Sequence, residues 1–271
     1  MTNTNRRRAR PANGIVLWEG ESLYDGAPIA IIVTGIISPS RNVKVGPSMQ
    51  VWIVRTDIDP VQAKKAGYDG SICGNCAMRN GACYVVVVNG VLQVYRTYKA
   101  GKYSSLPDTD VLEEVGLSRW FLRGGAYGNH SAAPFEVTQQ LIEAGGHNGW
   151  CLYVHDWKTC DQRFRHVAMA SCETVEQAIE ADRMGWRYYL AILEEESEEA
   201  LAALAAAGVK PSRCPHRADD PRTPLCVDCR LCDGKRDDND KRAHLWNPVH
   251  GSGAVMKGFH RMRASLPVLA A

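Results

Sequence analysis

Short β-branched runs and amphipathic stretches of helical period divide the chain into a β-rich lead-in and a region of repeated strand–helix alternation. Residues 28 to 37 (PIAIIVTGII) and 49 to 54 (MQVWIV) are apolar runs bounded by Gly, Pro and Ser, which predicts two strands joined by a loop. Asp59-Pro60 then opens a short helix through Lys65. Residues 82 to 88 form another apolar run, ended by Asn89-Gly90 and followed by residues 91 to 95, so a hairpin or a strand-to-helix turn is expected there.

From about residue 119 the pattern repeats. Residues 120 to 123 read as a strand running into Gly124-Gly125, 134 to 144 as an amphipathic helix, 150 to 154 and 166 to 170 as strands. Residues 174 to 184 read as a helix capped by Thr174 with Gln177 three positions on, and 186 to 193 as a strand. Strand and helix in alternation predict a parallel sheet with helices packed outside. The fold class expected is therefore α/β, a partial or irregular β/α barrel with a small β-rich N-terminal lead-in and a Cys-rich C-terminal metal-binding segment. The division expected is a disordered basic arm over 1–14, an α/β catalytic-type domain over 15–210, and the Cys-rich segment and tail over 211–271. Parallel architectures place ligands at the carboxyl ends of their strands, so the loops after Arg123, Val154 and Ala170 are where chemistry is expected.

Composition narrows the picture only slightly. With 271 residues and 45% hydrophobic content the chain can bury a sizeable core, and a net charge of +2 does not by itself mark a nucleic-acid binder. The run Arg6-Arg7-Arg8-Ala9-Arg10 is a local basic arm. No apolar run is long enough to span a bilayer, and the basic start is followed by Pro11-Ala12-Asn13-Gly14 in place of an apolar signal core. A cytoplasmic protein with reduced cysteines and no membrane partner is the expectation; oligomeric state is not legible. The Ala-rich acidic stretch 194–207 reads as a helix with a solvated Glu face, and 233–241 as an exposed charged loop.

Cysteine carries the chemistry. Cys214-Pro215 is followed by Cys226-x-x-Cys229-x-x-Cys232, three thiols at three-residue steps with a fourth from a separate turn. That spacing fits a cubane iron–sulfur cluster better than structural zinc, which more often uses two well-separated Cys-x-x-Cys knuckles; zinc is the alternative. A second group, Cys73-x-x-Cys76-x6-Cys83, lies in a Gly-rich loop. Three thiols without a fourth leave a coordination position open, as reactive sites require; the alternatives are a structural zinc site completed by a histidine such as His130 or His147, and free thiols. About forty residues on, Arg123-Gly124-Gly125-Ala126-Tyr127-Gly128-Asn129 forms a turn whose glycines let backbone N–H groups approach a ligand, which makes Gly124, Gly125, Tyr127 and Gly128 candidates for cofactor binding. His155-Asp156 at a strand end is the candidate catalytic pair, with a locally satisfied structural pair as the alternative. Cys151, Cys160 and Cys172 read as small buried hydrophobes or chance loop thiols, and Trp157 as core, with stacking of a base or adenine ring as the alternative.

The segments Ser71-Ile72-Cys73-Gly74-Asn75-Cys76, Cys83-Tyr84-Val85, Arg123 to Gly128 and Ala170-Ser171-Cys172-Glu173-Thr174, with the terminal cysteines, resemble a family of uncharacterised bacteriophage and prophage proteins over about residues 15 to 251. That resemblance implies no activity. The order of parts also resembles radical S-adenosylmethionine enzymes, with a three-cysteine loop, a Gly-Gly turn after the next strand and a cluster near the C-terminus. It implies that Cys73, Cys76 and Cys83 hold an iron–sulfur cluster and that Gly124-Gly125 binds S-adenosylmethionine. The spacing departs from that superfamily's Cys-x3-Cys-x2-Cys, and Ala126 stands where its turn carries Glu. A third likeness, again in part order, is to tRNA-guanine transglycosylases and their phage relatives. It implies zinc on Cys226, Cys229 and Cys232 with His244, His250 or His260, and Asp156 attacking a sugar carbon. The substrate expected is a nucleotide, nucleic acid or small biosynthetic molecule, with a non-catalytic zinc-stabilised nucleic-acid-binding module as the contrasting outcome.

Overall fold

A computed structural model describes residues 13–105, 120–217 and 220–265. Most of the basic arm lies outside these residues. The chain begins with β1 (Gly14–Glu21), β2 (Pro28–Thr34), β3 (Ser40–Asn42) and β4 (Gly46–Arg55), the β-rich lead-in. Strands β1, β2 and β4 are antiparallel, and their apolar residues Ile29, Ile31, Ile32, Val51 and Ile53 form a core with no more than traces of exposure. Helices α1 (Pro60–Ala66), α2 (Gly70–Cys73) and α3 (Leu92–Lys99) follow, then β5 (Ser104–Ser105) and β6 (Phe121–Tyr127). Next come α4 (Phe135–Gly145), β7 (Trp150–Cys151), β8 (Tyr153–Val154), β9 (Met169–Cys172), α5 (Val175–Arg183), β10 (Tyr188–Ile192), α6 (Ser197–Ala206), β11 (Ser212–Arg213), α7 (Cys226–Cys229), β12 (Leu245–Pro248) and α8 (Gly253–Ser265).

The described strands form a seven-stranded sheet ordered β5-β1-β2-β4-β6-β7, with β3 on β4, and a five-stranded sheet ordered β11-β12-β10-β9-β8. From β4 onward every pairing along both sheets is parallel. One residue, Leu152, separates β7 from β8, so a single extended segment serves the edges of both sheets. Its N–H donates to Cys232 O at 3.1 Å and its C=O accepts from Met169 N–H at 2.9 Å. The class is mixed α/β with two sheets; no closed barrel is formed among the described residues.

Local sequence accounts for most boundaries. Asp59 caps α1 by accepting from Val61 and Gln62 N–H, and Thr174 caps α5 by accepting from Gln177 N–H, as the capping pattern predicts. Residues 82 to 88 are the clearest departure. Tyr84, Val86 and Val88 are exposed, no strand forms, and Asn89-Gly90 leads into α3 and not into a hairpin. A second departure is the charged loop 233–241, where the Asp233 and Asp240 carboxylates are buried at 9% and 5% exposure among Arg187, Arg236 and Arg242. Opposite charges drawn together there let the loop fold back onto the sheet. No helix among the described residues is long and apolar enough to cross a membrane.

Candidate functional site

Cys73 ends α2, Cys76 follows three residues later, and Cys83 closes the loop after a single 3-10 turn. Backbone bonds fold the loop on itself: Cys76 N–H donates to Cys73 O at 3.2 Å and Cys83 N–H to Met78 O at 2.7 Å. Arg79 straps it from below, its guanidinium donating to Gly74 O, Gly67 O and Asp69 Oδ1, each at 2.9 Å. At the end of β4, Arg55 donates to Ser71 Oγ at 3.1 Å and ties α2 to the sheet. From the other side, α8 lies on the loop so closely that a Cβ at Gly258 would stand 2.1 Å from Gly81 O.

The three thiols line a cavity of about 90 Å³ together with Asp69, Arg79, Gly125, Tyr127, Gly128, Asn129 and His155. Gly125, Tyr127, Gly128 and Asn129 come from the carboxyl end of β6, and His155 from the carboxyl end of β8. The cavity therefore opens at the end of the parallel strands where ligands are expected. Gly125 and Gly128 have φ of +65° and +84°, and a Cβ at Gly128 would stand 2.6 Å from Ile53 Cβ, so glycine is required there by conformation and by space. Gly124 faces elsewhere: a Cβ there would meet Leu152 Cδ1 at 2.5 Å, and it does not line the cavity.

Four polar atoms of cavity residues have no hydrogen-bond partner: Arg79 Nε, the Tyr127 hydroxyl, Asn129 Oδ1 and His155 Nδ1. Buried polar atoms are seldom left this way, because each costs about 1–3 kcal/mol. Asn129 is 1% exposed and its orientation is fixed, since Nδ2 donates to Asp156 Oδ1 at 2.6 Å and a carboxylate accepts only. Its Oδ1 is thereby presented as an acceptor.

The structure separates His155 from Asp156. Asp156 lies outside the cavity lining and accepts from Asn129 and from the Ser131 hydroxyl, which also contacts Tyr24 at 2.9 Å. It positions Asn129. His155 faces Cys76 on one side, and its Nδ1 lies 3.7 Å from Glu173 Oε1 on the other. Burial alone favours the neutral imidazole, yet Cys76 and the Glu173 carboxylate raise its pKa well above the ordinary value. Burial also raises the Cys73 thiol, reinforced by Cys76, Asp69 and Cys83, and raises Cys83. Neutral, crowded thiols of this kind exchange their protons for a metal ion when one binds.

The residues expected to complete the site behave differently. His130 is buried with Nδ1 on Thr138 Oγ1 at 2.9 Å and does not line the cavity, nor does His147. The histidine brought to the thiols is His155. No sequence signal links it to Cys76; the parallel pairings of β4 with β6 and β6 with β7, which β8 continues, bring the two to one end of the strands, and the pairing of β8 with β9 brings Glu173 behind the ring. Trp157 is 2% exposed with its indole N–H on Ser171 O at 3.2 Å, so no face is free to stack a base.

Cys214, Cys226, Cys229 and Cys232 come together at the opposite end of the sheet. They line a smaller cavity of about 20 Å³ with Lys44, Cys151, Tyr153 and Tyr189 among others. Burial raises the Cys226 pKa to about 11 and that of Cys232 to about 12, and the other cysteines of the group add to both. Cys151, expected as an isolated hydrophobe, adjoins this group, whereas Cys172 is buried in the core of the five-stranded sheet. His244 stacks on Tyr188 at 4.1 Å with Nε2 3.0 Å from Asp182, and His244, His250 and His260 all lie outside the cavity lining. All ten cysteines are free thiols. Among the described residues, no three His, Cys, Asp or Glu side chains already stand as a set able to hold an ion, so loading either group requires side-chain rotation.

No protein-family profile, curated protein or solved structure matches the chain.

Proposed function

We propose that the protein is a metal-dependent enzyme, of the radical S-adenosylmethionine kind, whose centre is held by Cys73, Cys76 and Cys83. The observation that carries this is the convergence, in one cavity of about 90 Å³, of the three thiols from the loop after β4 and of Gly125, Gly128 and Asn129 from the end of β6. Strands β4, β6, the β7–β8 segment, β9, β10 and β12 follow one another in chain order, all parallel, an order that supports the partial-barrel reading. The first of these strands delivers the cysteine loop and the second the glycine turn.

The donor set fits an iron–sulfur cluster in number and kind: three soft thiols, and no fourth cysteine among the cavity residues. When bound, such a cluster supplies one-electron chemistry and an iron free of protein thiolate for the amino and carboxylate groups of S-adenosylmethionine. The chain's own residues do the rest. Gly125 and Gly128 let the backbone approach a ligand, Asn129 Oδ1 accepts a ligand N–H, and Asp156 keeps that amide from turning over. Tyr127 offers a hydroxyl, and His155, backed by Glu173, can hold or pass a proton. The substrate class proposed is a nucleotide, nucleic acid or small biosynthetic molecule, and the setting, by sequence resemblance, is a phage or prophage acting in its host's cytoplasm. The test is electron paramagnetic resonance of the reduced, iron-loaded protein. Adding S-adenosylmethionine should change the spectrum; an unchanged spectrum would sink the cofactor assignment.

One observation favours a second reading. His155 between Cys76 and Glu173 has the arrangement of a metal-bound histidine oriented by a carboxylate, so Cys73, Cys76, Cys83 and His155 could enclose zinc. That would make this end of the sheet a zinc-stabilised surface or a zinc-containing base-modifying site. Bound zinc without iron, lost on His155→Ala, would establish it. Asp156 as the attacking nucleophile of a base exchange is disfavoured by its position outside the cavity and its existing hydrogen bonds to Asn129 and Ser131.

A further inference from the structure

We propose that Cys214, Cys226, Cys229 and Cys232 bind a single zinc ion that locks the C-terminal segment across the amino ends of the parallel strands. The first argument is size. The cavity shared by the four thiols is about 20 Å³, room for one or two water-sized spheres at about 10–15 Å³ each, against about 90 Å³ at the three-cysteine site. One ion fits between four thiolates that need only rotate toward it; a cluster of several metal and sulfide atoms needs the cavity walls themselves to move apart.

The second argument is the surroundings of the thiols. Tyr153 and Tyr189 line the cavity beside Cys232 and Cys214, their rings meeting edge to face with centroids 5.3 Å apart, so their hydroxyls stand near the ligating sulfurs. Hydrogen bonds to the ligating atoms are how a protein orients and tunes a bound metal. Lys44, which also lines the cavity, supplies a cation against the net negative charge that four thiolates and one divalent ion would carry.

The third argument is attachment. Cys226 and Val227 N–H donate to Lys44 O and Val45 O, each at 3.1 Å, Cys232 O accepts from Leu152 N–H at 3.1 Å, and Cys214 N–H donates to Trp246 O at 2.8 Å. Three of the four ligands, Cys226, Cys232 and Cys214, are thus pinned to the turn before β4, to the segment shared by both sheets and to β12. An ion gripped by all four would join parts of the chain separated by up to about 200 residues, which is a structural role. Position agrees with it. Cys151 lines this cavity and His155 the other, so four residues of extended chain, roughly 13 Å, separate the two groups along one segment. The amino ends of parallel strands carry stability and the carboxyl ends chemistry.

The test uses the full chain carrying Cys73→Ala, Cys76→Ala and Cys83→Ala, which removes the other group. Expected is a colourless protein retaining about one zinc per chain, and, after exchange with cobalt(II), the visible spectrum of a tetrahedral four-thiolate site. Cys229→His in the same background should keep about one equivalent of metal and shift the cobalt bands. Iron and sulfide in the triple variant, a folded chain without metal, or an unshifted spectrum in Cys229→His would each overturn the assignment. Should the triple variant not fold, zinc-edge absorption on the unsubstituted protein decides: four sulfurs at about 2.3 Å support it, and any other shell refutes it.

Discussion

Gly258→Ala is the substitution whose sign best separates this structure from expectation. Glycine inside a helix normally costs about 0.5–1 kcal/mol relative to alanine, so the change should stabilise α8 if the helix were free on that face. Here the added Cβ would lie 2.1 Å from Gly81 O, 2.3 Å from Gly81 C and 2.8 Å from Ala82 N, all backbone atoms of the loop between Cys76 and Cys83. Backbone cannot rotate aside, so α8 or the loop must move by about an ångström. Overpacking of this kind costs about 1–3 kcal/mol, which exceeds the propensity gain and leaves a net loss of up to about 2 kcal/mol. The displacement falls on the thiols, and metal content at the three-cysteine site should drop more steeply than stability does. Gly253→Ala, on the same helix with nothing within 4 Å of its added Cβ, is the control and should be neutral or stabilising. Chemical denaturation of both variants with iron and zinc analysis makes the comparison. A Gly258→Ala protein as stable as the parent, with its metal intact, would refute the packing of α8 on the cysteine loop.

Arg187, 2% exposed, donates to Leu231 O and Ala243 O at 2.8 Å and to Gly234 O at 3.0 Å, with Asp233 at 3.6 Å. Arg187→Met should destabilise by about 3–5 kcal/mol, the cost of breaking a buried pair, and weaken metal retention beside Cys232; thermal unfolding and zinc analysis check it. Asp156→Asn should free the Asn129 amide to turn over while leaving the metal content unchanged, and a ligand N–H bonded by Asn129 Oδ1 should lose roughly 10-fold or more in affinity, read by calorimetric titration of S-adenosylmethionine. Burial holds His130 at a pKa of about 4, below the ordinary histidine value of 6.5. Its neutral form therefore stabilises the fold fully above pH 6.5, and that contribution, up to about 3 kcal/mol, is lost as pH falls toward 4; denaturant unfolding across that range, with His130→Gln as control, measures it.

Sequence pattern carried the parts whose cause is local. The Asp59 and Thr174 caps, the strand–helix alternation after residue 119 and both cysteine groups follow from neighbours along the chain. Residues 82 to 88 failed because a β-branched run predicts a strand only when a partner edge pairs with it, and here Tyr84, Val86 and Val88 face solvent. The sharing of one segment by two sheets through Leu152 has no local signature. Nor has the meeting of His155 with Cys76, which depends on the parallel pairings of β4 with β6 and β6 with β7 and links residues about eighty apart. Asp156 is legible in the sequence as a candidate, but not its hydrogen bonds to Asn129 and Ser131, which engage the carboxylate and leave the Asn129 amide oxygen without a partner.

The most direct measurement is the metal content of the full chain purified without oxygen, compared with that of Cys76→Ala. The account predicts a brown protein with iron and acid-labile sulfide plus about one zinc, and a Cys76→Ala protein that loses the iron and colour but keeps the zinc. A colourless parent without iron, or iron unaffected by Cys76→Ala, would contradict it.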